Sequence, residues 1–169
     1  MNILTPIKCN NIPDAIQTIF DLDLEPIQVK LIDVEEGEGW SLEKVQAIAV
    51  KYKKFLILKL RYPEVTISPT REIDKFWHYH ILDTSKYLVD CQNIFGAFLH
   101  HFPYLGMRGE KDKADLQVCF ENTKRLYFEN FGEDMANELD IVATSNCSTY
   151  CGGNIEILAS LPRPRLTSV

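Results

Sequence analysis

The chain has 169 residues with a 46% hydrophobic and 25% charged composition, which fits one globular domain that buries its own core. The net charge of −6 disfavours general nucleic-acid binding, because neutralisation of phosphates by Lys and Arg supplies most of the affinity. No apolar run reaches the roughly 18 residues of a membrane-spanning helix, and the first residues lack a signal-peptide pattern. We therefore expect a soluble cytoplasmic protein with no nucleic-acid or membrane partner, and of undetermined oligomeric state.

Two short helices are predicted in the N-terminal 40 residues. Pro13 suits the first turn of a helix whose apolar residues recur at helical spacing through 14–20. Pro26 restarts the chain. We favour a helix for the following segment, 27–34, although the alternation of apolar residues at its start also fits a strand. An acidic loop with two glycines, 35–39, ends this region.

A long helix is predicted over residues 42–61. Ser41 is a favourable N-cap, and apolar residues recur every three or four positions after it. The run 55–58 is apolar at successive positions, so this end of the helix is expected to be buried on most sides. Pro63 ends the helix, because the residue before a proline avoids the helical conformation.

The helix that carries the first two histidines follows a short extended connection. Ser68 is its predicted N-cap, with the next residue, a proline, at the first helical position. The polar run 83–85 is predicted to interrupt the helix, because such side chains compete for backbone hydrogen bonds. Thr84 or Ser85 then begins a second helical segment, which Gly96 ends.

The C-terminal third contains one long amphipathic helix. It is predicted over 113–131, with Gly132 as its terminator, and a short helix is expected over 133–141. Residues 143–169 turn polar and proline-containing, which predicts a flexible tail. The predicted fold is all-α, with a single domain over 1–142 of five or six helices in an irregular bundle.

All four histidines lie within residues 72–109, as His78, His80, His100 and His101. This segment is also rich in aromatic residues. Histidine is a metal ligand and a proton carrier near neutral pH. Its concentration in one segment therefore predicts that the functional site lies here.

Helical spacing predicts which polar side chains of this segment lie on the same helix face. Asp74 and His78 are four residues apart and share a helix face, so Asp74 is expected to accept a hydrogen bond from one ring nitrogen of His78 and leave the other available. His80 points about 200° away on an ideal helix, and both histidines reach one ligand only if the helix bends after them. One of His100 and His101 is expected to face the core.

Two or three histidines with an aspartate or a cysteine are typical ligands of zinc or iron. We therefore favour zinc or iron over haem as the bound cofactor. The candidate metal ligands are His78, His80, His100, His101, Asp74 and Cys91. Trp77 and Tyr87 are candidate cofactor-binding residues. Two other interpretations remain open: core histidines held by backbone hydrogen bonds, and metal-free acid–base chemistry by an Asp74–His78 pair.

The five cysteines divide into two groups. Cys9, Cys91 and Cys119 are isolated in sequence and are expected to be small buried hydrophobic residues. Cys147 and Cys151 stand four apart before two glycines. Three roles are open for this pair: metal binding, a disulfide or reactive thiols. A tetrahedral metal site would need histidines from the first cluster as well.

One spaced motif joins these elements: Ile73-Asp74, Trp77-His78-x-His80, Asp83-Thr84, Tyr87, Asp90-Cys91 and Phe95-Gly96. It resembles the glycine-rich domain-containing protein-like family, with similarity from about Trp40 to about Phe131. Plant members often have a proline near residue 84 or 85, which supports the helix break. They also carry a glycine-rich region, whereas this chain has 8 glycines. The resemblance thus implies a free-standing version of the shared domain, and it implies no catalytic residue.

Three functions follow, in order of preference. The first is a small α-helical protein that binds a transition metal or metal cofactor through the histidine-rich segment, with any chemistry left open. The second is a non-enzymatic module whose aromatic and histidine side chains bind a protein or peptide partner. The third is a metal-free hydrolase or isomerase, for which we find no nucleophile or oxyanion feature.

Overall fold

The computed structural model describes residues 11–135 and Arg163. Within these residues the chain forms six α-helices and no β-strand. The helices are α1 (Ile12–Phe20), α2 (Glu25–Ile32), α3 (Leu42–Arg61), α4 (Arg71–Leu82), α5 (Thr84–Phe95) and α6 (Glu110–Phe131). The prediction of an all-α single domain with five or six helices is confirmed.

The first three helices begin where their capping residues predict. Asn11 accepts a hydrogen bond from the backbone N–H of Asp14 at 2.9 Å, with Pro13 in the first turn of α1. Pro26 lies in the first turn of α2, so the segment after it is a helix and not a strand. The side chain of Ser41 caps α3 by accepting from the backbone N–H of Lys44 at 3.2 Å.

The predicted N-cap of α4 was wrong by two residues. Thr70, not Ser68, caps this helix, with its hydroxyl accepting from the backbone N–H of Ile73 at 3.3 Å. The backbone N–H of Ser68 instead donates to the hydroxyl of Thr123 on α6 at 2.9 Å. This long-range hydrogen bond keeps Ser68 in the extended connection, which a local sequence pattern does not reveal.

The break after the histidines lies where it was predicted. Asp83 itself, and not Thr84 or Ser85, is the N-cap of α5, and its side chain accepts from the backbone N–H of Lys86. Gly96 ends α5 with a left-handed φ of 68°, a conformation that glycine adopts without steric cost. The last helix, α6, begins at Glu110 rather than at 113.

Helix α3 is the central element of the fold. It packs against α1, α2, α4 and α6, and Tyr52, Phe55 and Leu58 on it are fully buried. Helix α4 lies against α3 through Phe76 and Trp77, which are also fully buried. This packing fixes the rotation of α4 and therefore decides which face carries its polar residues outward.

Several predictions fall outside the described residues. These are the role of Cys9, the flexibility of the tail over 143–169, the roles of Cys147 and Cys151, and most of the short helix over 133–141. The division at residue 142 stays a prediction. In the part of the chain that the structure describes, no helix combines the length and the apolar character needed to cross a membrane.

Candidate metal centre

Three potential metal ligands converge at one end of the molecule. The Nε2 atom of His101 lies 2.9 Å from Nε2 of His78 and 3.1 Å from Oδ1 of Asp74. The Nε2 atom of His78 lies 3.5 Å from Oδ2 of Asp74. Among the residues that the structure describes, these three form the group of His, Cys, Asp or Glu side chains close enough to share one metal ion.

Helix α4 supplies two of the three side chains. Asp74 and His78 are separated by four residues, so they point from one face of the helix, as the sequence predicted. Their distance exceeds that of a normal hydrogen bond, and it is His101 that makes the hydrogen bond with Asp74. The carboxylate of Asp74 is thus shared by two histidines, which the sequence did not predict.

The third side chain comes from the loop between α5 and α6. The indole N–H of Trp77 donates to the hydroxyl of Tyr87 at 2.9 Å, and this hydroxyl donates to the carbonyl oxygen of Leu99 at 2.6 Å. The ring of His101 packs on Trp77, with centroids 4.6 Å apart. A buried chain of hydrogen bonds therefore holds the loop, and with it His101, against α4.

A second anchor ties the end of this loop to α6. The carboxylate of Asp112 accepts hydrogen bonds from the backbone N–H of Gly106 and from the backbone and guanidinium of Arg108. Burial of Asp112 would raise its pKa, but the hydrogen bonds from Arg108 and Gly106 outweigh it and hold the pKa below its ordinary value. The loop that carries His101 is thus fixed at both ends.

The three donor atoms are spaced as the ligands of one shared cation would be. An imidazole nitrogen has one in-plane direction for its proton or lone pair, yet Nε2 of His101 faces two partners. A metal about 2.1 Å from its ligands holds them about 3.0 Å apart in octahedral and about 3.4 Å apart in tetrahedral geometry. The observed separations of 2.9, 3.1 and 3.5 Å span this range.

The protonation of His78 favours a ligand role. Burial lowers its pKa below the ordinary 6.5; the charge of Asp74 opposes this shift, and His101 and Lys75 add to it. The ring is therefore neutral near pH 7, the state that binds a metal. Its side chain is 47% exposed, whereas those of Asp74 and His101 are 11% and 10% exposed. The cluster thus faces solvent on the His78 side.

An open depression of about 420 Å³ adjoins the two histidines. Its other lining residues are Ile81, Leu82 and Pro103. Sequence reasoning did not single out these three residues. The only available signal was an apolar residue, Leu82, directly before the polar break, and such a residue is normally assigned to the core.

His80 belongs to a different, buried network. Its Nδ1 lies 2.9 Å from the hydroxyl of Tyr52, and its Nε2 lies 2.9 Å from Oδ2 of Asp90. Lys86 donates to the same carboxylate oxygen. Burial would raise the pKa of Asp90, but these hydrogen bonds lower it below its ordinary value. Both ring nitrogens of His80 are therefore engaged, and the structure does not bring it to the cluster.

The other candidate residues also lie apart from the three ligands. His100 is half-buried and packs on Phe98. Cys91 is 2% exposed, and burial raises the pKa of its thiol to about 11, so it carries its proton at neutral pH. The two candidate cofactor-binding residues, Trp77 and Tyr87, are buried, and they position the loop rather than line the depression.

The comparisons with known proteins give one match. No curated protein and no solved structure is significantly similar to this chain. The model of a family described as UCP032817-like matches residues 16–142, a range that includes α2 to α6 and most of α1. The assignment to the glycine-rich domain-containing protein-like family was therefore wrong, because the family model that matches is a different one. Six of the twelve motif residues are buried, so the motif partly reflects the packing of these helices. The chain belongs to the UCP032817-like family.

Proposed function

We propose that this protein binds one divalent transition metal, zinc or iron, through Asp74, His78 and His101. The observation that carries the proposal is the convergence of their three donor atoms within 3.5 Å of one another. The three side chains come from α4 and from a loop more than 20 residues later in the chain. A loop anchored by buried hydrogen bonds supports a preformed site.

The ligand set favours a metal with open coordination positions. Two histidines and one carboxylate are the ligands of catalytic zinc sites with a bound water, and of non-haem iron sites with open positions. Structural zinc sites are instead closed by four protein ligands, commonly including cysteine. The half-exposed His78 and the adjoining depression give solvent and small molecules access to the remaining positions.

A bound metal would be partly neutralised by the charge of Asp74. Asp74 brings one negative charge, and the two imidazoles are neutral when they bind a metal. A divalent cation therefore leaves a net charge of about +1 at a partly exposed site. The expectation of a protein or peptide partner, which rested on the aromatic residues, stays a prediction.

The direct test is metal content by elemental analysis of protein purified without a metal-binding tag. We expect close to one zinc or iron per chain in the wild type, and loss of the metal in His78→Ala and His101→Ala. The matched control is His100→Ala, which removes the neighbouring half-buried histidine outside the cluster and is expected to keep the metal.

The proposal would be overturned by a wild-type protein that is metal-free as purified and takes up neither zinc nor iron on dialysis. Equal loss of metal in the His100→Ala control would also contradict it, because the assigned ligand would then be the wrong histidine. Folding of each variant is checked by circular dichroism, so that loss of metal is not mistaken for loss of structure.

A further inference from the structure

Resting on this metal site, we infer that the adjoining depression binds a small monocarboxylate with an apolar tail. The carboxylate would occupy the open coordination positions of the metal bound by Asp74, His78 and His101. The tail would lie on the wall formed by Ile81, Leu82 and Pro103. The inference specifies the chemical class of the molecule that the site takes.

The charge balance of the site selects an anion. A divalent metal with a single carboxylate ligand keeps a net positive charge, and bound metal ions are commonly the largest local charge in a site. Beyond the two histidines, the lining residues that belong to the described part of the chain are uncharged. No side chain among them neutralises the metal, so an incoming carboxylate, an oxygen donor suited to zinc and iron, meets a complementary charge.

The wall of the depression selects an apolar tail. Leu82 is 74% exposed although it is a large hydrophobic residue, and Pro103 is exposed as well. Covering this surface with a hydrocarbon chain removes apolar area from water on both partners. A volume of about 420 Å³ accommodates a small molecule.

The neighbouring surface argues against a second charged group on the ligand. Leu82 also borders a second depression, whose lining includes Lys30, Glu36 and Asp83. Lys30 forms an ion pair with Glu36, so no unpaired cation there favours a second carboxylate. A second carboxylate on a tail that extends past Leu82 would therefore gain no ion pair from Lys30, so the inferred ligand carries one carboxylate.

The test compares acetate with hexanoate on protein loaded with Co²⁺, whose visible absorption changes when its ligands change. A fully buried methylene improves affinity about fourfold. Partial burial of the four methylenes that hexanoate adds in this open depression predicts roughly 10-fold tighter binding of hexanoate. The loaded Leu82→Ala protein is expected to lose much of this preference, because it loses the most exposed side chain of the apolar wall without losing a ligand atom.

Val118→Ala is the matched control, since Val118 is 69% exposed on α6 and does not line the depression. It is expected to keep the preference for hexanoate. The inference fails if loaded protein binds both acids equally or neither, or if metal-free protein binds hexanoate as tightly as loaded protein. Metal content is measured first, so a protein that binds no metal overturns the proposed function itself and is distinguished from a loaded protein without the tail preference.

Discussion

His78 and His80 lie two residues apart on the same helix and have opposite environments. His78 is half-exposed in the cluster with Asp74 and His101, whereas His80 is 1% exposed between Tyr52 and Asp90. Two residues correspond to a rotation of about 200° on a helix. Their roles therefore separate into a proposed metal ligand, His78, and a buried hydrogen-bonding residue, His80.

His80→Ala is expected to lower the free energy of unfolding by roughly 2–4 kcal/mol. It removes the ring that contacts the buried hydroxyl of Tyr52, and it leaves the carboxylate of Asp90 with Lys86 as its remaining side-chain partner. Metal content per folded chain is expected to stay at the wild-type value. Urea denaturation with parallel elemental analysis measures both quantities. His78→Ala should give the opposite pattern, with metal lost and metal-free stability little changed.

Loss of metal from folded His80→Ala, without loss of stability, would contradict this assignment. It would instead support the broader ligand set that the sequence suggested, in which His80 reaches the metal. Tyr52→Phe provides a second check, since it removes only the hydroxyl that contacts Nδ1 of His80. It is expected to cost about 1–2 kcal/mol of stability and no metal.

Metal affinity is expected to fall on acidification. His78 binds metal only as the neutral imidazole, and burial lowers its pKa below 6.5. His78 therefore stays neutral through neutral pH, and its contribution to affinity is lost only as the pH falls below about 6.5, the ordinary value for histidine. Equilibrium dialysis against a fixed zinc concentration from pH 8 to pH 5 measures this dependence. Affinity that is constant over this range would contradict a histidine ligand set.

At the scale of elements, the loop between α5 and α6 decides whether the site forms. Its residue His101 reaches α4 because Tyr87, on α5, donates a hydrogen bond to Leu99 and accepts one from Trp77. Asp83 caps the beginning of helix α5, and Gly96, with its left-handed φ, ends the helix before the loop. The break in the histidine segment thus serves to return the chain toward α4.

Tyr87→Phe is expected to weaken metal binding about 10-fold, since groups that orient metal ligands typically contribute 10- to 100-fold to affinity. The substitution keeps the ring but removes the hydroxyl that holds the loop. Competition with a zinc chelator measures the affinity, and the Co²⁺ spectrum reports whether the ligand geometry changes. A purely structural role for Tyr87 would lower stability with affinity and spectrum unchanged, which would contradict the positioning role.

At the scale of the whole molecule, the proposed metal site links two distant parts of the chain. Asp74 and His78 belong to the helix that packs on the central α3, while His101 lies 23 residues after His78. A metal that binds only the folded state stabilises it by about 2.7 kcal/mol at a concentration 100 times its Kd. The free energy of unfolding is therefore expected to fall when the metal is removed.

We expect the melting temperature of the wild type to fall by roughly 5–10 °C when a chelator removes the metal, given a shift of about 2–4 °C per kcal/mol for a chain of this size. Differential scanning calorimetry with and without chelator measures the shift. The His78→Ala protein serves as the control and should melt at one temperature under both conditions. An unchanged wild-type melting temperature would show that no metal contributes to the fold.

The helices were predictable because their signals are local. Ser41, Pro26 and Gly132 act on the few residues around them, and apolar spacing marks the buried face of each helix. The cap of α4 was misassigned because Ser68 is held by Thr123, 55 residues away. A hydrogen bond over this separation leaves no trace in a local pattern.

By itself, the sequence determined the helices to within a few residues, the break within 83–85 and the segment that contains the site, since capping and helical periodicity are properties of neighbouring residues. It also placed Asp74 and His78 on one face, because their spacing matches one helical turn. Only the tertiary structure decided that His101 joins them and that His80 and His100 do not. That choice depends on the packing of α4 against α3 and on the anchoring of a distant loop, which are contacts between residues far apart in the chain.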